Sequence, residues 1–285
     1  MGLKIQINEA VTDTSLPKLY ADSIMSQGSL FLMDLTNFTG DSGTSITNGG
    51  KINNVAYDVA SQILGSGDAN TLAGNVSLSN VSPSNAIIEL TGKKGIHGII
   101  SKSNVLTSLG WQMQFPDLIK SHLLTNWATG RFFISVWGRV TRISNTSTSG
   151  SMVLANTTSS TSNYKALFQA GGLVATNNGA RGVTGMNVLG NYIRNVGVTN
   201  STGTAPASIA NMYSYLKIGP QLPYGSFEAG VSQSMIIYRV YVEDLDVSGR
   251  TYAEVDAIDN ALYTTAFASG GKFFADTFTD PSVLP

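Results

Sequence analysis

The segment 236–259, IIYRVYVEDLDVSGRTYAEVDAID, limits the fold most, because its apolar residues change from a two-residue to a helical spacing with no long loop between. Its first half predicts a strand, since side chains on a strand point alternately to two faces. The first face would carry Ile236, Tyr238, Val240 and Val242, and the second Ile237, Arg239, Tyr241 and Glu243. Such a strand packs on at least one side.

The second half of this segment has the pattern of a helix. Thr251 and Glu254 have the spacing of a capping box, in which a hydroxyl and a carboxylate satisfy free amides at a helix start. Four apolar residues then recur along one stripe: Tyr252, Val255, Ile258 and Leu262. We predict a helix over 251–263 that lies against the sheet.

The composition favours strands and turns. Ser, Thr and Asn number 33, 27 and 22, while charged residues make up only 12%. Ser and Asn compete with helical hydrogen bonds, whereas Thr fits a pleated sheet. The clearest long strand lies in 127–143, with Phe132, Ile134, Val136 and Val140 on one face and Phe133, Trp137 and Ile143 on the other. Further strands at 29–35, 86–90 and 96–101, with polar turns between strands, predict an all-β sandwich.

The chain divides into four predicted parts: an N-terminal arm 1–28, a β-sandwich domain 29–250, the packing helix 251–263 and a C-terminal arm 264–285. The last arm is too glycine-rich and polar to build its own core. It nevertheless carries four phenylalanines, Phe267, Phe273, Phe274 and Phe278. These rings need a surface, either of this protomer or of a neighbour, and are candidate subunit-interface residues.

Two segments together resemble the laminin-G-like or concanavalin-A-like sandwich domains found in bacteriophage and bacterial surface proteins. The first is RFFISVWGRV, with Phe132, Trp137 and Arg139 in the positions of the family's Phe, Trp and basic residue. The second is IIYRVYVEDLDVSGRTYAEV, which is similar to the family's closing strand and short helix. The resemblance implies a concanavalin-A-like (jelly-roll) β-sandwich with a short C-terminal helix and extended terminal arms.

The same resemblance implies a non-enzymatic part of a bacteriophage particle, either a head decoration or a tail, baseplate or fibre protein. Its partners would be further copies of itself, with a trimer favoured, and other virion proteins. The resemblance implies the virion as the final location. Synthesis in the host cytoplasm is expected because the sequence shows neither a signal-peptide pattern nor a membrane span. The alternative function is a glycan-binding module that recognises a bacterial surface polysaccharide.

Charge is distributed unevenly along the chain. Residues 1–89 hold 3 basic and 8 acidic side chains, 90–227 hold 11 and 1, and 228–285 hold 3 and 9. In one interpretation the fold interleaves these blocks so that they cancel in space. In the other, the central block forms a basic face for a polyanion or an acidic neighbouring subunit. Nothing in it matches a signature for specific nucleic-acid binding.

Two segments resemble parts of catalytic motifs. GDSG at 40–43 resembles the serine segment of chymotrypsin-like proteases, but both His97 and His122 follow Ser42, opposite to the order in that family. Asp244 and Asp246 in EDLD share a strand face, as paired acids of sandwich glycosidases do. We expect a turn in the first case and acids that precede a helix in the second.

Binding residues were predicted for two kinds of ligand. Asp34, Asn37 and Asp41 offer oxygen ligands for calcium, which is common in the wider family, although their spacing is not that of an EF-hand. No other cofactor is expected. Three aromatic residues in predicted loops could stack on a sugar ring: Trp111, Trp127 and Tyr224.

Overall fold

A computed structural model gives the fold for part of the chain. It describes residues 22–37, 44–104, 106, 109–143, 151–157, 164–169, 180–181, 189–190, 192–198, 204–213, 215–219 and 233–285.

Within these residues there are fourteen strands and four α-helices. The strands are β1 (Ser29–Asp34), β2 (Lys51–Ile52), β3 (Gly74–Ser79), β4 (Ala86–Leu90), β5 (Ile96–Ile100), β6 (Gly110–Gln114), β7 (Phe132–Arg142), β8 (Ser151–Thr157), β9 (Tyr164–Gln169), β10 (Ala180–Arg181), β11 (Tyr192–Val198), β12 (Met212–Tyr213), β13 (Tyr215–Ile218) and β14 (Ser234–Asp244). The helices are α1 (Tyr57–Leu64), α2 (Asp117–Thr125), α3 (Leu245–Ser248) and α4 (Tyr252–Phe267).

The strands form antiparallel sheets. The largest has seven strands in the order β10-β11-β7-β14-β5-β4, and β1 also pairs with β14. A four-stranded sheet has the order β13-β6-β3-β2, and a three-stranded sheet the order β12-β8-β9. The structure therefore confirms the predicted all-β, sandwich-like fold with a short C-terminal helix.

The main apolar core lies between the seven-stranded and four-stranded sheets. One face of β7 supplies the predicted set Phe132, Ile134, Val136 and Val140, and β6 supplies Trp111 and Met113 from the opposite sheet. The sheets approach closely at Gly98, where an added Cβ would lie 2.5 Å from a methyl carbon of Ile218. We call the face of the seven-stranded sheet that borders this core its inner face.

Strand β14 departs from the predicted alternation. Its register with β7 shifts between Ile237 and Arg239, because a β-bulge places an additional residue there. Because side chains alternate between the two faces of a strand, one extra residue moves every later side chain of the strand to the opposite face. Ile237 and Val240 consequently both enter the main core, whereas Tyr238 packs on the opposite side. The predicted common face of Ile236, Tyr238, Val240 and Val242 is wrong for this reason.

Helix α4 covers the opposite, outer face of the seven-stranded sheet. The predicted capping box is present: Thr251 N donates to the Glu254 carboxylate over 2.7 Å, and Glu254 N donates to the Thr251 hydroxyl over 3.3 Å. Val255 is fully buried, and Tyr252, Ile258 and Leu262 pack beside it as predicted. The helix continues to Phe267, past the predicted end at 263, because Ala266 is also buried against the sheet.

Residues 268–285, which we call the C-terminal strap, extend the cover that α4 begins. The chain turns at Gly270, whose φ is +80°, and at Gly271, where a Cβ would lie 2.2 Å from the Thr265 carbonyl oxygen. It then crosses β14, β5 and β4. At the other end, Ile24 and Met25 of the predicted N-terminal arm belong to a buried cluster.

Candidate functional site

The strongest concentration of polar side chains lies on the outer face, beneath α4 and the strap. Five residues stand in register across five adjacent strands: Tyr192, Arg139, Ile236, His97 and Glu89. We call them the cross-strand row. Strap residues lie directly over it, since Phe278 contacts His97 and Arg139, and Thr279 contacts Glu89.

His97 and Glu89 anchor the strap at one end of this row. The His97 side chain is fully buried, with Nδ1 2.8 Å from Glu89 and Nε2 2.9 Å from the Thr141 hydroxyl. The Glu89 carboxylate also accepts hydrogen bonds from the backbone amide and hydroxyl of Thr279. One carboxylate therefore joins β5 to the strap.

Burial and hydrogen bonding set the protonation of this pair. Burial lowers the pKa of His97 below its ordinary value and outweighs the nearby charges of Glu89 and Asp276. Burial raises the pKa of Glu89, but the hydrogen bonds from His97 and Thr279 outweigh it, so the pKa lies below its usual value. The arrangement favours neutral His97 beside ionised Glu89.

A second group of charges surrounds Arg239 on the outer face. Its guanidinium donates to Asp22 and Asp34, with Nη1 2.8 Å from Asp34, and lies over the Trp137 ring. Lys272 of the strap also donates to Asp34. Burial disfavours charge on Arg239, but the hydrogen bond to Asp22 outweighs it and raises the pKa of Arg239. This network ties both ends of the described chain to β14.

A third polar group lies beneath α4. Asp259 is fully buried and accepts hydrogen bonds from the Ser135 hydroxyl and from Arg194 Nε, at 2.8 and 2.7 Å. The Trp137 indole N–H lies 3.2 Å from the same carboxylate. Burial raises the pKa of Asp259 despite these donors. The helix is thus docked on the sheet by hydrogen bonds as well as by apolar packing.

The three acids at the end of β14 are bound within the chain. Glu243 pairs with Arg250 and accepts from the Tyr241 hydroxyl at 2.7 Å. Asp244 caps α3 through the amides of residues 246 and 247 and lies 2.8 Å from His122 Nε2. Asp246 pairs with Arg131 over 2.7 Å. Glu243 and Asp244 end β14 as predicted, whereas Asp246 lies in the first turn of α3. Ser42 lies outside the described residues.

The two described tryptophans that were predicted to bind a sugar are not at the surface. Trp111 is fully buried and Trp127 is only 4% exposed, because both pack into the main core. That prediction is therefore wrong for both, and Tyr224 lies outside the described residues. The signal for Trp111 was present in WQMQF, where Trp111, Met113 and Phe115 alternate with glutamines as they do in a half-buried strand.

The predicted calcium ligands are not assembled by the described chain. The Asp34 carboxylate is bound to Arg239, Lys272 and the Thr36 hydroxyl, so two cationic side chains already neutralise it. Asn37 takes part in the turn after β1, where its amide donates to the Asp34 carbonyl. Asp41 lies outside the described residues. Within the described ranges, no three histidines or acids cluster as metal ligands.

Three of the four phenylalanines predicted at a subunit interface pack on their own protomer. Phe273 is 1% exposed and stacks near Tyr238, while Phe267 and Phe278 pack on the outer face. The outer face of the sheet provides the apolar surface that covers these rings, so a neighbouring subunit is not needed to bury them. Only the fourth, Phe274, remains largely exposed, at 42%.

Two arginines of the central block pair with acids of the C-terminal block, which is the kind of contact that the first interpretation predicts. The pairs are Arg131–Asp246, Arg194–Asp256 and Arg194–Asp259. The uneven distribution along the chain thus provides complementary charges between layers of the fold.

Comparisons with known proteins add little about activity. No family model matches the chain, and no curated protein matches it. Among solved structures, it is similar to Trypanosoma rangeli sialidase in complex with sialic acid, with a TM-score of 0.35 and 11% sequence identity. That match covers 85% of this chain and 35% of the other, so the chain spans about a third of that protein. A similarity this weak carries no inference about function.

In the described part of the chain, no helix is both long enough and apolar enough to cross a membrane.

Proposed function

We propose that this chain is a non-enzymatic structural component of a bacteriophage particle, either a head decoration or a tail, baseplate or fibre protein. It works through protein–protein contacts in a homo-oligomer, with a trimer favoured, and with other virion proteins. The observation that carries the proposal concerns three acids at the end of β14. Glu243 and Asp246 form ion pairs with arginines, and Asp244 caps a helix. The acids that most resembled catalytic groups support a structural role.

The strap supplies a candidate contact surface for assembly. Phe273 and Phe278 hold it on the outer face, whereas Phe274 between them is 42% exposed. Large exposed aromatic rings are enriched at protein interfaces, where they supply much apolar area at a small cost in side-chain entropy. A ring fixed on a docked strap is well placed to contact another subunit.

The oligomer is tested by light scattering after size-exclusion chromatography over a range of concentrations. We expect the wild-type mass to be a multiple of the 30.1 kDa chain, and Phe274→Asp to shift it toward one chain. Val247→Asp is the matched control, because Val247 is 39% exposed and lies on α3. A wild-type protein that remains a single chain at every concentration contradicts assembly.

The role in a particle needs a separate measurement. Antibodies raised against the purified chain should label phage particles at symmetry-related positions in electron micrographs. The alternative, a module for a bacterial surface polysaccharide, cannot use Trp111 or Trp127 because both rings are buried. It predicts binding of the isolated chain to host cells, and chain-dependent adsorption without particle labelling would favour it.

A further inference from the structure

One arginine on the outer face differs from the others in how its charge is neutralised. Five arginines with described side chains donate to carboxylates or to backbone carbonyls: Arg131, Arg142, Arg194, Arg239 and Arg250. Arg139, in the cross-strand row, has no such acceptor anywhere in the described part of the chain. Its Nε is buried and lacks a hydrogen-bond partner there, as do those of Arg142 and Arg239, but the other two arginines donate through their Nη atoms. A buried donor of this kind calls for a partner such as water or an ion.

Two aromatic rings hold this guanidinium in place. The Arg139 Cζ lies 5.1 Å from the ring centroid of Tyr192 and 5.1 Å from that of Phe278. Tyr192 is its cross-strand neighbour on β11, and Phe278 comes from the strap. Stacking fixes the guanidinium and leaves its edge, which carries the N–H groups, for an acceptor.

The nearby carboxylates already have other donors. Asp276 of the strap accepts from the Lys93 amide at 2.7 Å and from the Tyr238 hydroxyl at 2.9 Å. Glu89 serves His97 and Thr279. Arg139, Tyr192 and Phe278 are each only partly buried, so part of this group is exposed to solvent.

We propose that Arg139, Tyr192 and Phe278 form a binding site for a carboxylate group. A guanidinium edge binds a planar carboxylate through two parallel hydrogen bonds. The carboxylate can belong to a simple organic acid or to an acidic sugar. This proposal does not depend on the proposed role in a virion. Because Trp111 and Trp127 are buried, it moves the candidate ligand-binding site to the outer face.

The test is calorimetric titration of the full chain at low ionic strength, where charge pairs are least screened. The probes are acetate, glucuronate and, as a neutral control, glucose. We expect both carboxylates to bind and glucose not to bind. Glucuronate binding about tenfold or more tighter than acetate identifies an acidic sugar as the ligand class, and equal binding identifies a simple acid.

Two variants assign the binding to Arg139. Arg139→Gln should weaken carboxylate binding about tenfold or more, and Arg139→Lys should weaken it less, because a lysine keeps the charge but loses the paired geometry. Arg131→Gln is the control, since Arg131 is 57% exposed and pairs with Asp246. Equal binding by the wild type and Arg139→Gln, or no binding by the wild type, overturns the site.

A measurement on the wild-type chain covers the case in which the variants do not fold. The Nε–H resonance of Arg139 should shift during titration with acetate or glucuronate, and not with glucose. No shift at saturating carboxylate overturns the proposal. Self-association that depends on Arg139, in the absence of any carboxylate binding, also overturns it, because the counter-ion would then be an acid of another subunit.

Discussion

The two faces of the seven-stranded sheet are stabilised in different ways. The inner face packs apolar side chains such as Ile134 and Val240 against the four-stranded sheet. The outer face also buries apolar side chains, but in addition it places the charged Arg239 and Asp34 under a helix and a strap from the same chain. Apolar burial is non-directional and tolerates many combinations of residues, whereas buried charges stabilise only when each finds its partner. The inner face therefore forms the sandwich, and the outer face selects one position for its cover.

The substitution with the largest expected effect on this contrast is Arg239→Ala. Removing the guanidinium leaves the carboxylates of Asp22 and Asp34 without their shared partner in a buried place, which should cost about 3–5 kcal/mol of unfolding free energy. Ile134→Val on the inner face should cost only about 0.5–1.5 kcal/mol. Urea denaturation measures both. A smaller loss for Arg239→Ala than for Ile134→Val would break the contrast.

A smaller effect should appear as pH dependence. The pKa of His97 in the folded chain lies below its ordinary value of 6.5, so the unfolded chain binds a proton more readily. Stability should therefore fall as the pH drops below about 6.5, until the folded-state pKa is reached. The pKa of Glu89 is also lowered, from 4.5, so its contribution is present above that pH and is lost at more acid pH.

This pH dependence is measured as the urea midpoint from about pH 7.5 to about pH 4. His97→Gln should flatten the part of the profile that begins near pH 6.5 and keep the acid part. An unchanged upper part in the variant would mean that His97 is not the titrating group.

The capping box should contribute less. Thr251→Ala removes the hydroxyl that accepts from the Glu254 amide and should cost about 1 kcal/mol of unfolding free energy. Thr265→Ala is the matched control, since that hydroxyl only bonds back to the Ala261 carbonyl on an exposed turn of the same helix. Equal losses in the two variants would show that the cap adds nothing specific.

The smallest effect is expected at the exposed pair of Arg131 and Asp246. Their side chains are 57% and 44% exposed, so water already screens the attraction. Arg131→Gln should change the unfolding free energy by less than about 0.5 kcal/mol. A loss that approaches the one at Arg239 would mean that burial does not decide the strength of these pairs.

The sequence predicts the parts of this molecule that depend on local pattern. The core face of β7, the strands β4 and β5, and the capping box of α4 all follow from periodicity and from residues a few positions apart. The bulge in β14 cannot be predicted in this way. It changes which face the later side chains of the strand lie on, but it leaves the apolar composition of the strand unchanged. Boundaries set by tertiary burial, such as the end of α4 at Phe267, are also missed.

The candidate sites were harder to predict. Arg139 and Phe278 are far apart in the chain, and only the pairing of strands and the path of the strap bring them together. Trp111 lies on a strand of only five residues that begins at a glycine, so the local pattern that marks the strand is short. The carboxylates of EDLD resembled a catalytic pair until their partners, Arg131, His122 and Arg250, were placed around them.

The central claim is that the C-terminal strap is docked on the outer face by its own polar contacts. Three backbone amides outside the strap donate to it: Gly92 to the Thr277 carbonyl, Lys93 to the Asp276 carboxylate and Lys102 to the Pro285 carbonyl. Native-state hydrogen exchange at these amides reports docking directly. The account predicts that all three are protected in the full chain. Free exchange at these positions, while the amides of β7 and β14 stay protected, would contradict it.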